Sequence, residues 1–197
     1  MWKPAWEADL KLLAFFFALA ILNAPALAAP KPYILQKDDS IVGFSWFLGK
    51  DEIKGSMPVE SADVVLDLDR LRDSKVRVSV DVRGARAGFP FASQGMKSKK
   101  VLWADKHPMI TFESTGFRRA DEGALVDGNL TVRGVTRPAT FSAKLFRQAG
   151  TEAGDRSRLS VRLKGSLSRA AFGADGWSDL AGDEVRLSIV ARMRLAE

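Results

Sequence analysis

The sequence predicts an all-β fold, a sandwich or a barrel of about eight antiparallel strands, and three segments carry this prediction. Val76–Arg83 places valine at every even position and a polar residue at every odd one. Leu159–Leu167 and Val185–Leu195 alternate in the same way. Such period-two patterns indicate strands with one buried and one solvated face, and the chain lacks the alternating helices of a parallel sheet.

The chain begins with a segment typical of an export signal, which we assign to residues 1–28. Leu12–Leu22 is apolar without a break, two lysines precede it, and Ala26-Leu27-Ala28 follows as a small-x-small cleavage pattern. This run is shorter than the ~20 residues that a membrane-spanning helix needs. Cleavage would leave one domain, residues 29–197, outside the cytoplasm. The alternative is an uncleaved leader that anchors the domain to the membrane.

Composition argues against several classes of function. The chain has no cysteine and a single histidine, which excludes cysteine nucleophiles and most metal sites. The acid pairs Asp51-Glu52 and Asp183-Glu184 are adjacent on extended chain, so their side chains point to opposite faces and form no catalytic dyad. Catalytic and nucleic-acid recognition motifs are also absent from the sequence. We therefore predict a protein that is not an enzyme and has no catalytic residue, metal or cofactor.

The other predicted elements follow in order along the chain. Further strands are predicted at Ile41–Phe47, Ala62–Asp67, Ile110–Phe117, Ala124–Val132 and Ala139–Phe146. Asp127-Gly128 could be a hairpin turn, but period-two register continues through it, which favours one strand with Gly128 at a bend or a close backbone contact. The turn then falls at residues 133–138, with Pro138 opening the next strand. Residues 148–157 and 173–183 are predicted loops.

One helix is predicted after the leader, at Ala92–Trp103. It is short and basic, with an apolar end at residues 101–103. A helix of about two turns is not stable alone, so we expect it to dock on the sheet, where it would cap one end of a barrel.

Five short motifs follow one another in a fixed order: DSIVGFS at 39–45, KHPMITFEST at 106–115, GNLTVRGVTRP at 128–138, LSRAAFG at 167–173 and GDEVRL at 182–187. Together they resemble the YceI-like family, from about Tyr33 to Leu195. The resemblance implies a single antiparallel lipocalin-like β-barrel, exported to the periplasm, that holds a polyisoprenoid or another long-chain amphiphile in an apolar tunnel. Since some family members are encoded beside or fused to cytochrome b561-type membrane proteins, the resemblance also suggests a membrane partner of that type.

This chain departs from the family pattern where a ligand headgroup would be met. Asp39 and Phe47 stand where the family often has histidine, and His107 stands where tyrosine is usual. In residues 92–103 the charged and histidine residues of the family's helix are replaced by small, neutral or basic ones. The fold prediction is unaffected because the hydrophobic register is intact, but the family's headgroup chemistry does not transfer.

The predicted ligand-binding residues are large apolar side chains. Phe44 and Trp46 share one face of a strand, whereas Phe89, Phe91 and Trp103 are predicted to contact the mouth of the cavity. The full set is Phe44, Trp46, Phe89, Phe91, Met96, Leu102, Trp103, Phe112, Phe141, Phe172 and Trp177. The predicted function is a periplasmic carrier of a long-chain lipid, a polyisoprenoid or a fatty-acyl amphiphile. The alternative is a non-catalytic, stress-linked or membrane-protein-associated module whose barrel is filled by its own side chains.

Basic residues occupy the polar positions of several predicted strands and give the chain a net charge of +6. They are Arg77, Arg83, Arg162, Lys164, Arg186, Arg192 and Arg194, with Lys97, Lys99 and Lys100 on the predicted helix. One interpretation is a solvated surface. The other is attraction to an anionic membrane surface, worth about 1 kcal/mol per base close to the bilayer. His107 is predicted to be a surface turn residue.

Overall fold

Strands dominate the part of the chain that the structure, a computed structural model, describes: residues 29–197. The predicted export signal lies outside these residues. The strands are β1 Lys31–Leu35, β2 Ile41–Leu48, β3 Asp51–Met57, β4 Val59–Leu66, β5 Lys75–Asp81, β6 Arg86–Ala87, β7 Met109–Ala120, β8 Gly123–Val132, β9 Val135–Arg147, β10 Arg158–Ser168 and β11 Glu184–Leu195. Helix α1 is Pro90–Lys97, and Leu71–Asp73 and Ala170–Phe172 are single 3-10 turns. From residue 29 onward no helix has the length and hydropathy needed to cross a bilayer.

The barrel closes because β11 is long enough to pair with two strands in succession. Strands β1, β4, β5, β7, β8, β9, β10 and β11 form an antiparallel ring in that order. One part of β11 pairs with β1, where Leu195 lies opposite Tyr33, and the other pairs with β2, where Arg186 lies opposite Ser45. Strands β2, β3 and β6 therefore continue the wall at one end. The eight-stranded antiparallel barrel is confirmed.

The two ends of the barrel differ. We call one the α1 end, because α1, the turn between β8 and β9 and the loop at residues 173–183 lie there. The other, the distal end, carries the β7–β8 turn at residues 120–123 and the loop at residues 148–157. The two predicted loops, at 148–157 and 173–183, lie between strands as expected.

All the predicted strands are present, and β8 is continuous through Asp127-Gly128 as predicted. Gly128 does mark a close approach, because a Cβ there would lie 2.4 Å from the Phe112 ring. Strands β1, β3 and β6 were not predicted. Pro32 interrupts the pattern of β1, the charged residues of β3 leave it few apolar positions, and β6 has only two residues.

Two predicted boundaries are wrong. The turn between β8 and β9 is only Arg133-Gly134, whose φ angles of 53° and 77° suit a tight hairpin turn. Pro138 consequently lies inside β9, opposite Asn129. Strand β10 pairs with β9 only from Ser142 onward. Pro138 lies before that point, so its missing N–H interrupts no hydrogen bond between β9 and β10.

The helix is also shifted from its predicted position, Ala92–Trp103. It begins at Pro90, a residue that suits the first helical position because its φ is preset and its N–H is not needed there. It ends at Lys97, since Ser98 is extended with a ψ of 163°. The residues after it form turns, and Trp103 has a left-handed φ of 48°.

Two separate clusters of buried side chains pack inside the barrel. The cluster at the α1 end includes Phe44, Val82 and Phe172, and the distal cluster includes Tyr33 and Met193. The inward faces of the strands between them surround an open space.

Candidate functional site

A cavity of about 730 Å³ lies inside the barrel. This volume falls in the ~300–1,000 Å³ range of small-molecule sites. Its lining is almost entirely apolar; within residues 29–197 the charged lining residues are Arg119 and Arg169, and two serines join them. An eight-stranded barrel can be filled by its own side chains, whereas this one encloses open space.

The cavity stays open partly because three phenylalanine rings lie over glycines of neighbouring strands. A Cβ at Gly55 would lie 2.5 Å from the Phe44 ring, one at Gly128 would lie 2.4 Å from Phe112, and one at Gly165 would lie 2.7 Å from Phe141. Each ring therefore rests against the wall in the place that a side chain would occupy. The rings add apolar surface to the wall while projecting less into the space enclosed.

The cavity is elongated along the barrel. Alternate residues of β11 line it from Val185 to Met193. At about 3.4 Å per residue this stretch is about 27 Å long, and a strand tilt of about 40° reduces it to about 20 Å along the barrel axis. A long, narrow, apolar space of this kind suits an extended hydrocarbon chain better than a compact polar metabolite.

Ten of the eleven residues predicted as ligand contacts line the cavity: Phe44, Trp46, Phe89, Phe91, Met96, Leu102, Phe112, Phe141, Phe172 and Trp177. Phe44 and Trp46 stack with ring centroids 5.9 Å apart and an interplanar angle of 18°, so they form one wall as expected. Phe112 and Phe141 meet edge to face at 5.1 Å. The structure brings these side chains together, and their contact with a ligand stays a prediction.

Trp103 does not lie where it was predicted. It is outside the cavity lining, and its ring lies among cations: the ring centroid is 4.5 Å from Lys106 Nζ, 5.0 Å from Lys99 Nζ and 5.9 Å from Arg133 Cζ. The early end of α1 accounts for this, because the helix stops at Lys97 and the chain continues in turns, so Trp103 does not lie on a helical face that could carry its ring to the cavity.

Exposed apolar side chains surround the cavity at the α1 end. Phe91 is 80% exposed and Leu180 is 63% exposed, and Phe89 and Trp177 are also exposed. All four line the cavity. Trp177 has a left-handed φ of 56°, held by a turn in which its carbonyl accepts the N–H groups of Leu180 and Ala181. This set forms an apolar rim, which we call the α1 rim.

Arg169 is a site residue that the strand patterns did not reveal. It is 8% exposed and donates to four backbone carbonyls: Nη1 to Ala174 at 2.5 Å and Gly176 at 2.8 Å, Nη2 to Ala181 at 2.7 Å and Nε to Gly182 at 2.9 Å. Its guanidinium therefore holds the loop that carries Trp177 and Leu180. The only earlier signal was its place in the LSRAAFG motif.

Asp183 lies beside this arginine without forming a close ion pair in the described chain. The Ser168 hydroxyl and the Ala170 N–H hydrogen-bond the carboxylate and lower the pKa of Asp183 below its ordinary range, and the Arg169 charge adds to this effect. The carboxylate is thus engaged in bracing the loop.

The basic residues predicted to face outward are all exposed: Arg77, Arg83, Arg162, Lys164, Arg186, Arg192 and Arg194. His107 is half-buried in a turn, with its ring 5.8 Å from the Trp103 ring and against Gly134. Over residues 29–197 no group of three or more acidic, histidine or cysteine side chains is placed to hold a metal ion.

The fold and the cavity together define a lipocalin-like barrel with an elongated apolar interior. The sequence model of the YceI-like domain matches residues 33–193, and this chain belongs to that family. The family predicted from the five motifs is therefore confirmed.

Curated relatives share part of the sequence, and solved structures share the fold. A UPF0312 protein of Pseudomonas aeruginosa and one of Yersinia enterocolitica are each 30% identical over 129 residues, which are 62% of this chain and 64% of the relative. The chain thus spans less than two thirds of these relatives. Burkholderia cenocepacia BcnA superposes with a TM-score of 0.71 at 18% identity, over 81% of this chain and 99% of BcnA. A polyisoprenoid binding domain from Saccharophagus degradans, implicated in plant cell wall breakdown, superposes with a TM-score of 0.59 at 11% identity, over 84% and 99%.

Proposed function

We propose that this protein is a non-catalytic carrier that encloses a long apolar ligand, a polyisoprenoid or a fatty-acyl amphiphile, inside the barrel. The observation that carries the proposal is the cavity of about 730 Å³, whose lining is apolar over nearly its whole surface. The likeness to a solved polyisoprenoid binding domain supports the same ligand class.

The energetics of such a site favour hydrocarbon chains. Each CH₂ group transferred from water to an apolar environment contributes about 0.8 kcal/mol, so a chain along the cavity would bind tightly with few polar contacts. Asp127 on the outer wall and Asp183 in a loop, whose pKa values are lowered, are engaged in hydrogen bonds and do not line the cavity. The arrangement therefore supports binding without a chemical step.

The test is a titration of the delipidated protein with a polyprenol. Trp46 and Trp177 line the cavity, so a bound chain should change tryptophan fluorescence, and a ligand that binds only the folded state should raise Tm. A five-carbon isoprenoid alcohol is the matched control, because it buries only a small part of the same surface. Equal responses to both alcohols, or to neither, would contradict the proposal.

The same proposal places the mature domain in the periplasm, after cleavage of the export signal behind Ala28. Support comes from the apolar run of residues 12–22 and the small-x-small pattern that follows it. N-terminal sequencing of protein recovered from the periplasmic fraction should begin at Ala29. A mature chain that begins at Met1 and sediments with membranes would instead support the anchored alternative.

A membrane surface is the partner that suits such a carrier. The exposed outward arginines and lysines would be attracted to an anionic bilayer by about 1 kcal/mol per base close to the surface. Binding to phosphatidylglycerol vesicles that weakens as salt is raised, with no binding to neutral phosphatidylcholine vesicles, is the expected result. Equal binding to both would contradict an electrostatic contact.

A further inference from the structure

The polar groups inside the cavity are distributed unevenly, and their charge is of one sign. Within residues 29–197 the lining contains no carboxylate, and its two charged residues are both arginines. Arg169 lies at the α1 end, buried, with its guanidinium on four backbone carbonyls. Its donors are thus committed to the fold, which leaves Arg119 at the distal end as the cation that can bind a ligand group.

Arg119 faces the cavity because of a β-bulge in β7. Phe112 points into the cavity, and uninterrupted alternation from it would turn Arg118 inward and Arg119 outward. The register between β7 and β8 shifts at Ser114/Gly116, so the inward positions become Phe117 and Arg119. The bulge therefore directs one arginine of an adjacent pair to the cavity, while Arg118 faces outward and pairs with Asp127.

The guanidinium of Arg119 has few partners in the described structure. It is exposed, and its single hydrogen bond runs from Nη2 to the Asp69 carbonyl at 3.3 Å. The nearby carboxylate of Asp69 is engaged by Arg156, through two hydrogen bonds of 2.8 Å. Across residues 29–197 no carboxylate oxygen lies within 4.0 Å of Arg119.

Apolar side chains surround this arginine at the distal end of the cavity. Leu68, Leu71 and Leu145 line the same region, and Leu145 faces the cavity while remaining 48% exposed. A forked cation beside an apolar channel matches an amphiphile with a carboxylate or phosphate head and a hydrocarbon tail.

We propose that Arg119 binds the anionic head of the ligand at the distal end, with the hydrocarbon tail extending through the cavity toward the α1 rim. This inference rests on the proposed carrier function and narrows its ligand class to anionic amphiphiles. Uptake tail-first at the distal end leaves the charge beside Arg119, so no charged group has to cross the apolar interior. A tail longer than about 20 Å would reach the α1 rim, where Phe91 and Leu180 would cover its end.

The test compares ligands of equal chain length and different heads. Dissociation constants of the delipidated protein are measured for hexadecanoate, hexadecyl phosphate and hexadecanol, with acetate and inorganic phosphate as chain-free anions. The wild type should bind the two anionic amphiphiles at least about tenfold more tightly than the alcohol, the lower range for a hydrogen bond to a charged group. Acetate and phosphate alone should not bind, which separates an amphiphile site from a simple anion site.

The variant Arg119→Gln should remove this preference by weakening the binding of the two anionic amphiphiles to the affinity of hexadecanol, and Arg119→Lys should restore part of it. Arg158→Gln is the matched control, because Arg158 lies at the same end, next to buried Leu159, and faces outward. Raising NaCl from about 0.1 to about 1 M, which shortens the Debye length from about 10 to about 3 Å, should reduce the preference in the wild type and in Arg158→Gln, but not in Arg119→Gln.

The outcomes separate the two proposals. Binding of the alcohol and the acids with equal affinity, or a preference that survives in Arg119→Gln, would overturn the role of Arg119 and leave the carrier function intact. Failure of every long-chain ligand to bind the wild type would overturn both. Tight binding of acetate or inorganic phosphate alone would also overturn an amphiphile site.

Discussion

Replacing Gly165 with alanine should push a phenylalanine ring into the cavity. The new Cβ would lie 2.7 Å from Cδ1 of Phe141, and ordinary van der Waals contact begins near 3.4 Å, so the ring must retreat by about 0.7 Å. It cannot retreat into the wall, because Gly165 belongs to the wall; its free side is the cavity that it lines. The result is an overpacked contact and a smaller cavity.

The expected cost is about 1–2 kcal/mol, because overpacking of about 1–3 kcal/mol is partly offset by the lower entropy of the unfolded alanine chain. For a domain of this size that change lowers Tm by about 2–8 °C. Thermal unfolding followed by circular dichroism measures it, and polyprenol titration should show weaker binding of the same variant.

Gly116→Ala is the matched control, since a Cβ at Gly116 meets nothing within 4 Å. That variant should be neutral or slightly stabilised. Phe141→Leu completes a double-mutant cycle, in which the cost of Gly165→Ala should fall by about 1 kcal/mol once the ring is gone. If Gly165→Ala is as stable as Gly116→Ala, or if its cost does not depend on Phe141, the explanation of the open cavity by rings over glycines is wrong.

Three further predictions follow from single side chains. Arg169→Leu should lower the free energy of unfolding by about 2–4 kcal/mol in urea titrations. The reason is that the buried carbonyls that accept from Arg169 lose a charged donor, whereas carbonyls that become exposed can bond to water instead. A loss below about 1 kcal/mol would contradict the role of Arg169 in bracing the loop. Trp46→Glu should abolish lipid uptake while circular dichroism stays unchanged, whereas Phe47→Glu on the outer face should retain uptake; unchanged uptake in Trp46→Glu would refute that wall. Hydrogen bonds from Arg118 and Thr140 lower the pKa of Asp127 from 3.8 to about 2, so their contribution to stability is complete above about pH 5 and is lost as pH falls through 2. Asp127→Asn should therefore show a flatter stability profile over that interval, and an unchanged profile would exclude these hydrogen bonds as its cause.

Much of the barrel could be predicted from the sequence because its strands keep period-two register. β5, β10 and β11 alternate apolar and polar residues over their whole length. The aromatic residues of neighbouring strands also fall on alternate, inward-facing positions. The apolar lining of the cavity was therefore accessible from the sequence, apart from Trp103, which follows the early end of α1 and lies outside the lining.

The features that resisted prediction depend on contacts between distant residues. The direction of Arg119 reverses at a bulge that only the pairing of β7 with β8 reveals. The role of Arg169 depends on carbonyls five to thirteen positions along the chain, in a loop whose path has no periodic signal. The hollow interior depends on which glycine lies under which ring, and alternation within a single strand does not determine that.

The central claim is that the barrel encloses a long-chain ligand, and mass spectrometry of the protein purified gently from the cells that make it tests this most directly. Native spectra should show a bound species, and organic extraction should recover a long-chain amphiphile at close to one per protein. Repeated recovery of ligand-free protein, which also takes up no lipid on refolding, would contradict the account.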